Sequence, residues 1–588
     1  MQFREILKET PEKLIEDVLP PCLQKRHFWG KELYLRFLAW WSGLAELFEL
    51  ASPLRERQGR EFIADFFEKL DFSYNLSQKD RDRIPSEGRL LVVANHPLGA
   101  LDGLAILHAL LEVRPDVRIV VAGFLAGLEE LRDHLLPIDE SLDNEKTDLK
   151  PIAEALSNEE AVIVFPSRTV SRLGLKGIRD PQWRHGVVLL ARRLSTPILP
   201  VYVRARNSIW FYLKGLISRR WAALSLPQEI LRQKSKTIYL KIGHQIPSHA
   251  FVAIRARSAA KLLYRHLLAI GKDKKGFFKT EKNVIHPVDR RFIKAELLNA
   301  PLLGETEDGM KIFLVTKDEA PTTLREVARL RELTFRKVGE GTGNKLDMDY
   351  YDSYYEHLIL WDERALEVVG AYRIGNAKKI IEQRGIEGLY SSSLFQFDPK
   401  FVNLLGEAIE LGRSFVQQKY WNSAALDYLW HGIGAYLATN RHIRYLFGPV
   451  SISKNYSKEA IEMLVFFYSK WFPDYDNLAS HKNRFIIPDR RRDELRQLFR
   501  SQDYKEDFKT LKANLKHYGY SVPTLYKQYS ELCEEGGVRF LDFGIDENFG
   551  YCVDGLILVD VAKVKKAKYD RYVTSKLAAK DKAIAKAP

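Results

Sequence analysis

A chain of 588 residues can hold two or more domains with cores of their own, and 46% apolar residues with only 24 prolines exclude a largely disordered protein. Three cysteines (Cys22, Cys533, Cys552) are too few and too scattered for a disulfide framework or a thiolate metal site, which fits a reducing compartment. The net charge of +14 is concentrated in one region, since residues 181–275 hold 19 Lys/Arg against two acids, Glu229 and Asp273, and the remainder is slightly acidic. Such a block suits a polyanionic partner, an anionic bilayer or an acidic protein; no nucleic-acid-binding module accompanies it, so nucleic acid is not an expected partner.

Residues 1–85 are expected to form a helical region. Met1-Gln2-Phe3-Arg4-Glu5 runs straight into a charged helical pattern rather than a signal peptide, and Pro20-Pro21 breaks the chain after the first helix. The stretch 33–50 comes nearest to a membrane span, but Arg36, Glu46 and Glu49 interrupt it. With Phe37, Trp40, Trp41 and Phe48 it predicts an amphipathic helix, lying in a membrane interface or packed on the next domain.

From 86 to 275 the pattern alternates between short apolar strands (90–94, 117–122, 161–165, 198–203) and helices, which predicts an α/β sheet with active residues at strand ends. The first strand leads into Ala94-Asn95-His96-Pro97-Leu98-Gly99-Ala100-Leu101-Asp102-Gly103, where Pro97 suits the first turn of a helix. At such a junction Asp102 can fix the tautomer of His96 and leave the other ring nitrogen to take a proton from a hydroxyl. The alternative is a surface turn with an incidental histidine.

Three motifs follow in order: Asn95-His96 with Asp102, then Val164-Phe165-Pro166-Ser167-Arg168, then Pro197-Ile198-Leu199-Pro200-Val201. Over about 190 residues this block resembles the glycerolipid acyltransferases, and within them the hemolysin-like, lyso-ornithine-lipid branch, whose Asp180-Pro181-Gln182-Trp183 and Arg206-Asn207-Ser208 segments it shares. The resemblance implies His96 as general base and Asp102 as its orienter, with Asn95, Gly99, Phe165, Pro166, Ser167 and Arg168 at the substrate. The family's usual Phe-Pro-Glu-Gly is Phe165-Pro166-Ser167-Arg168 here, which argues against a lysophosphatidate acceptor.

A polar stretch at 271–276 introduces a linker, 276–285. The second block, 286–562, holds Arg331-Glu332-Leu333-Thr334-Phe335, Gly339-Glu340-Gly341-Thr342-Gly343, Asp349-Tyr350-Tyr351-Asp352, a strand ending at Arg373, and Glu410-Leu411-Gly412-Arg413. Two arginines with Glu410 suggest a partly buried ion-pair network, which by spacing alone is better explained by structure than by catalysis. Leu429-Trp430-His431-Gly432-Ile433-Gly434 is a candidate glycine-rich turn at a helix start, without the leading cation that a pyrophosphate would favour. Residues 563–588 form a basic tail, expected to be frayed.

The order R-x-x-x-F, D-x-x-D, E-x-x-R resembles the acyl-homoserine-lactone synthases. The run from Arg329 to Gly343, with Val522-Pro523 and Val553-Asp554-Gly555, is similar to the ornithine-lipid N-acyltransferases, a GNAT-like family. That resemblance implies Arg331, Phe335, Asp349, Asp352, Arg373 and Arg413 as substrate-binding residues; N-acylation needs a neutral amine, and Glu340 and Glu410 are the candidate proton acceptors, unranked by sequence.

The expected fold is therefore α/β in two domains: a glycerolipid-acyltransferase-like α/β domain preceded by helices, then a GNAT-like α+β domain. The expected function is a bifunctional ornithine-lipid synthase, in which the second half N-acylates ornithine with a 3-hydroxyacyl group and the first half O-acylates the lyso-ornithine lipid. The donor is expected to be acyl carrier protein carrying a phosphopantetheine thioester, with no permanently bound cofactor and no metal. The location is expected to be peripheral, on the anionic cytoplasmic face of a bacterial inner membrane. The alternatives are the same architecture on another amino acid such as glycine, a lysophospholipid O-acyltransferase with a regulatory second half, and a membrane-associated scaffold with a dead site.

Overall fold

A computed structural model describes residues 31–54, 56–122, 128–138, 149–175 and 177–574. Pro20-Pro21, Cys22 and the tail from residue 575 lie outside the described residues. The chain divides into two units, Met1–His286 and Pro287–Pro588.

The strands of the first unit are β1 (Ser73–Asn75), β2 (Leu90–Ala94), β3 (Val117–Ala122), β4 (Leu135–Ile138), β5 (Ala161–Val164), β6 (Arg172–Gly174), β7 (Gly177–Arg179), β8 (Ile198–Arg204) and β9 (Thr237–Ile242). Seven of them form one sheet in the order β1-β9-β8-β2-β5-β3-β4, parallel except for the β8–β9 pair, while β6 and β7 form a separate antiparallel hairpin. Every residue of β2 is buried, and its two faces enter different cores. Leu90, Val92 and Ala94 pack with Phe62, Leu101 and Ala105, whereas Leu91 and Val93 pack with Val162, Val188 and Leu263. A parallel strand covered on both faces must be apolar throughout, which explains the uninterrupted run.

In place of one amphipathic helix over 33–50 there are two, α1 (Lys31–Ser42) and α2 (Leu44–Ala51). Gly43 separates them at φ +80°, and a Cβ there would stand 2.9 Å from Leu231 Cδ1. Three further helices matter to the site: α3 (Ala100–Leu111), α4 (Ile209–Ile217) and α5 (Arg219–Leu224). The stretch 276–285 is packed rather than loose. Phe277 and Phe278 donate their N–H groups to His266 Nδ1 (3.0 and 3.1 Å), and the Asn283 amide donates to the Asp82 and Ile84 carbonyls (2.9 and 3.1 Å).

The second unit is built on β10 (Leu302–Glu305), β11 (Met310–Val315), β12 (Glu356–Asp362), β13 (Glu367–Asn376), β14 (Phe395–Phe397), β15 (Ala408–Val416), β16 (Tyr445–Ile452), β17 (Ala479–His481), β18 (Val538–Asp546) and β19 (Cys552–Asp560). Eight of these form a sheet, β10-β11-β12-β13-β15-β16-β19-β18, while β14 and β17 pair separately. Only β15 and β16 run parallel in the large sheet, and they pair only from Ala408–Tyr445 to Glu410–Phe447. Beyond that the two strands part. On its other side β15 is bulged: Ala371 faces Phe415 and Arg373 faces Gly412, so Ser414 and Arg413 oppose a single residue, with Arg413 at φ +50°. Fork and bulge together open the sheet where it would otherwise be closed.

Two helices complete the frame, α6 (Pro321–Val338) and α7 (Ala425–Thr439). The glycines expected to form a turn lie within α7: a Cβ on Gly432 would strike Leu358, and one on Gly434 would strike the Tyr572 carbonyl. They are glycines because neighbours approach the helix closely, not because a phosphate does. In the described part of the tail Tyr572 and Val573 are buried, and the Tyr572 hydroxyl donates to Asp427 at 2.7 Å.

Candidate active sites

In the first unit β2 delivers Asn95 and His96 to the carboxyl edge of the sheet. His96 Nδ1–H donates to Asp102 Oδ1 at 3.0 Å, and Asp102 Oδ2 accepts the Leu98 N–H at 2.8 Å. Asp102 is fully buried in the first turn of α3, so its carboxylate is held from two directions and the imidazole has one orientation. Burial by itself would lower the pKa of His96, but the charge and hydrogen bond of Asp102, with a contribution from Asp180, outweigh it and raise it. Nε2 is the ring nitrogen outside the bond to Asp102. Gly99 begins α3 at φ +92°, a conformation open to glycine, and Phe165 lies over the His96 ring with centroids 4.1 Å apart.

The other expected contacts of this site fall differently. Asn95 is consumed by the strand beside it, its amide donating to the Val203 carbonyl (2.9 Å) and its Oδ1 accepting the Val203 N–H (2.8 Å). It clamps β2 to β8 rather than facing a ligand. The Pro166 carbonyl accepts the Arg184 N–H at 3.0 Å, and Ser167 is buried with its hydroxyl donating to the Thr169 carbonyl at 3.0 Å. Arg168 sits in the left-handed region at φ +58°, its N–H bonded to the Phe165 carbonyl. Asp180, noted in sequence only as part of a shared segment, has a defined position: it accepts the His96 N–H (3.2 Å), the Ser171 hydroxyl and Trp183 Nε1 (3.0 Å).

The second unit gathers the arginines and aspartates that its spacing suggested. Arg331 on α6 makes a two-pronged bond to Asp352 (2.9 and 2.8 Å), Arg373 on β13 reaches Asp349 (2.6 Å) and Asp352 (3.3 Å), and Arg413 lies 3.4 Å from both Asp347 and Asp349. Burial works against the Asp352 charge, yet Arg331 and Arg373 hold its carboxyl well below the usual range. His357 beside them is pushed down to about 4 by burial and stays neutral. Tyr355 and Tyr390 cover Arg373, 5.2 and 5.1 Å from ring centroid to guanidinium, so this network is walled by aromatic rings.

Glu332, next to Arg331, organises the glycine loop that follows the helix. Its carboxylate accepts the Thr342 and Gly343 N–H groups (3.1 and 2.8 Å) and the Thr342 hydroxyl (2.7 Å). That fold turns Glu340 inward, towards a cavity of about 110 Å3 whose lining includes Phe335, Glu340, Arg413, Ser451 and Asp554. The cavity occupies the fork between β15 and β16. Burial pushes the Glu340 carboxyl up to about 7, against a hydrogen bond from Ser451 and the charge of Arg413. Asp554 on β19 stands directly across from Ser451 and is pushed up to about 8 by burial, with Asp546 and Glu340 adding to the rise.

Glu410, the other expected proton acceptor, is already filled. It accepts the Tyr355 and Ser391 hydroxyls and the Tyr390 and Ser391 N–H groups (3.0 and 2.6 Å), and it ties the 390s segment to β15. Asp554 is not among the expected site residues, although the Val553-Asp554-Gly555 segment is noted as a shared one; the further signal is an aspartate inside an otherwise apolar strand, which is rarely buried without a partner. Among the described residues no cluster of His, Cys, Asp and Glu could hold a metal ion.

An acyltransferase family model matches residues 26–263, and an acetyltransferase (GNAT) domain model matches residues 330–431. Over 306 residues, half of this chain, the sequence is 33% identical to the glycine N(alpha)-acyltransferase of Bacteroides thetaiotaomicron, 90% of which is covered. The lyso-glycine lipid O-acyltransferase of Phocaeicola vulgatus is 27% identical over 42% of this chain and 92% of its own length. The L-ornithine N(alpha)-acyltransferase of Agrobacterium fabrum is 28% identical over 21% of this chain and 43% of its own length.

Proposed function

From a chain that belongs, through its second half, to the GNAT-type amino-acid N-acyltransferases and carries a lyso-lipid O-acyltransferase domain ahead of it, we propose the two-step synthesis of a diacyl amino lipid. The chain is an N- and O-acyltransferase. In the proposed order the second unit transfers a 3-hydroxyacyl group from a thioester, carried by acyl carrier protein, to the α-amine of an amino acid. The first unit then acylates the new 3-hydroxyl.

In the first step the thioester carbonyl enters the fork between β15 and β16. The bulge at Arg413 releases backbone N–H groups from the ladder, and such groups stabilise the oxyanion of the tetrahedral intermediate. The α-ammonium loses a proton to Glu340, the neutral amine attacks the carbonyl carbon, and the thiol leaves with a proton. The Arg331, Arg373 and Arg413 network with Asp349 and Asp352 holds the cavity wall and, with Phe335, gives it shape. In the second step His96 Nε2 takes the proton of the 3-hydroxyl, the oxygen attacks a second thioester, and His96 returns the proton to the leaving thiol. Asp102 orients the ring and stabilises its charged form throughout.

The amino acid we take to be ornithine. The observation that carries this is the second carboxyl in the cavity: one group suffices to accept the α-amine proton, while Asp554 beside Glu340 can face a δ-ammonium. Glycine is the second reading, favoured by the relatives that match over nine-tenths of their length. The test is a lipid extract from a host without amino lipids, expressing wild type or His96→Ala and fed labelled ornithine or glycine. Wild type should make a labelled diacyl ornithine lipid and His96→Ala should accumulate the monoacyl form, its O-acylation lowered about 10²–10⁴-fold. Label entering only from glycine selects the second reading, and no labelled lipid from either overturns both.

A further inference from the structure

Among the described residues of the first unit, two neighbouring segments together expose a cluster of apolar side chains. The β6–β7 hairpin carries Leu173 and Ile178 facing each other across the strands, with Leu175 fully exposed at the tip. Beside it α4 exposes Trp210, Leu216 and Ile217, the last at 88%. The hairpin root and α4 share a small apolar core, Val170 with Phe211 and Tyr212, so the two protrusions form one lip.

Both protrusions are rooted in the backbone of the catalytic turn. At one end of the hairpin the Ser171 N–H donates to the His96 carbonyl at 2.7 Å, and at the other the His96 N–H donates to Asp180 Oδ1 at 3.2 Å. The chain enters α4 through Asn207, whose amide donates to the Pro97 carbonyl at 3.1 Å. Val170 and Leu226 close over Gly99. Whatever the lip touches is therefore next to His96.

Charge selects the occupant. Between Arg168 and Gln228 the only acid is Asp180, which is buried. Arg172 and Arg179 face each other on the hairpin, and Lys214 lies on α4, 5.0 Å above the Trp41 ring. Apolar tips with cations around their bases match a surface that is apolar inside and anionic outside. We propose that the β6–β7 tip and α4 enter an anionic phospholipid bilayer, setting the mouth of the His96 site at the depth of the lipid headgroups. An acceptor with one acyl chain could then reach His96 without leaving the membrane.

The proposal rests on the O-acyltransferase reading only in naming that acceptor, and vesicle binding is measured with no acyl donor present, so the two fail separately. The full chain is floated with vesicles of phosphatidylglycerol and phosphatidylcholine, and with phosphatidylcholine alone. Wild type should float with the anionic vesicles and bind neutral ones about tenfold less, with binding falling as salt rises. Trp210→Asp with Ile217→Asp should reduce binding about tenfold, as should Leu175→Asp, which disturbs no packing, while Val252→Asp on another exposed segment should bind as wild type. Equal binding to neutral vesicles, or undiminished binding by both lip variants, overturns the proposal. So does a wild-type dimer that the lip variants return to monomer, which would give the lip to a second copy.

Discussion

Glu340→Gln keeps the side-chain volume and the bond to Ser451 while removing the ionisable group. In the native chain burial moves this carboxyl from 4.5 to about 7, and the side chain is only 8% exposed. The shift corresponds to a penalty of about 3 kcal/mol for holding the ionised form inside the fold. The unfolded chain releases the proton near 4.5 and the folded chain only near 7, so between those values the unfolded state binds fewer protons and stability falls as pH rises. Glu340→Gln should thus be close to wild type at pH 5 and more stable by about 3 kcal/mol at pH 8, about 6 °C in the unfolding of the second unit. Calorimetry at both pH values measures this, with N-acylation assayed at pH 8 on the same samples. The expected variant is more stable and inactive. A stability difference that is the same at both pH values would refute the burial argument, and full N-acylation would remove Glu340 as the proton acceptor.

Asp102→Asn withdraws the charge that raises His96, so the acid limb of the O-acylation pH–rate profile should move to lower pH while its plateau falls about 10²–10⁴-fold; an unmoved limb contradicts the assigned pair. Arg331→Lys replaces a two-pronged bond to a buried carboxylate with a single point charge and should cost about 3 kcal/mol in urea unfolding of the second unit. Gly434→Ala drives a methyl group into the Tyr572 carbonyl and should cost about 1–3 kcal/mol, exposing the segment around Tyr572 to limited proteolysis.

What the sequence disclosed follows from where its signals are local. The strands at 117–122 and 90–94 match the structure because an apolar run bounded by polar residues has one sensible use in a parallel sheet. His96 and Asp102 are six residues apart on a strand-to-helix junction, so their meeting is nearly dictated by the chain. The break at Gly43 was hidden because its cause, the approach of Leu231, lies far along the sequence. The same holds for the glycines of α7, whose pattern resembles a phosphate turn but whose reason is Leu358 and the Tyr572 backbone. Glu410 looked available because no periodicity reveals that Tyr355 and Ser391 fill its oxygens, and Asp554 looked ordinary because only the fork in the sheet makes it a cavity wall.

The clamp made by Asn95 has a consequence for how the two sites come into being. Its partner, Val203, is 108 residues away, and until that length has been synthesised β2 has no β8 to pair with. Closing so long a loop costs about 1.5 kcal/mol more than closing one of twenty residues and is slower, and the order in which the chain emerges adds to the delay. The Arg331–Asp352 and Arg373–Asp352 pairs each span only 21 residues, so the ionic network of the second unit can assemble from neighbouring segments. A nascent chain therefore holds its histidine and aspartate adjacent, and β2 paired first with β5, before the Asn95 clamp can close, so the first site is completed only when β8 arrives.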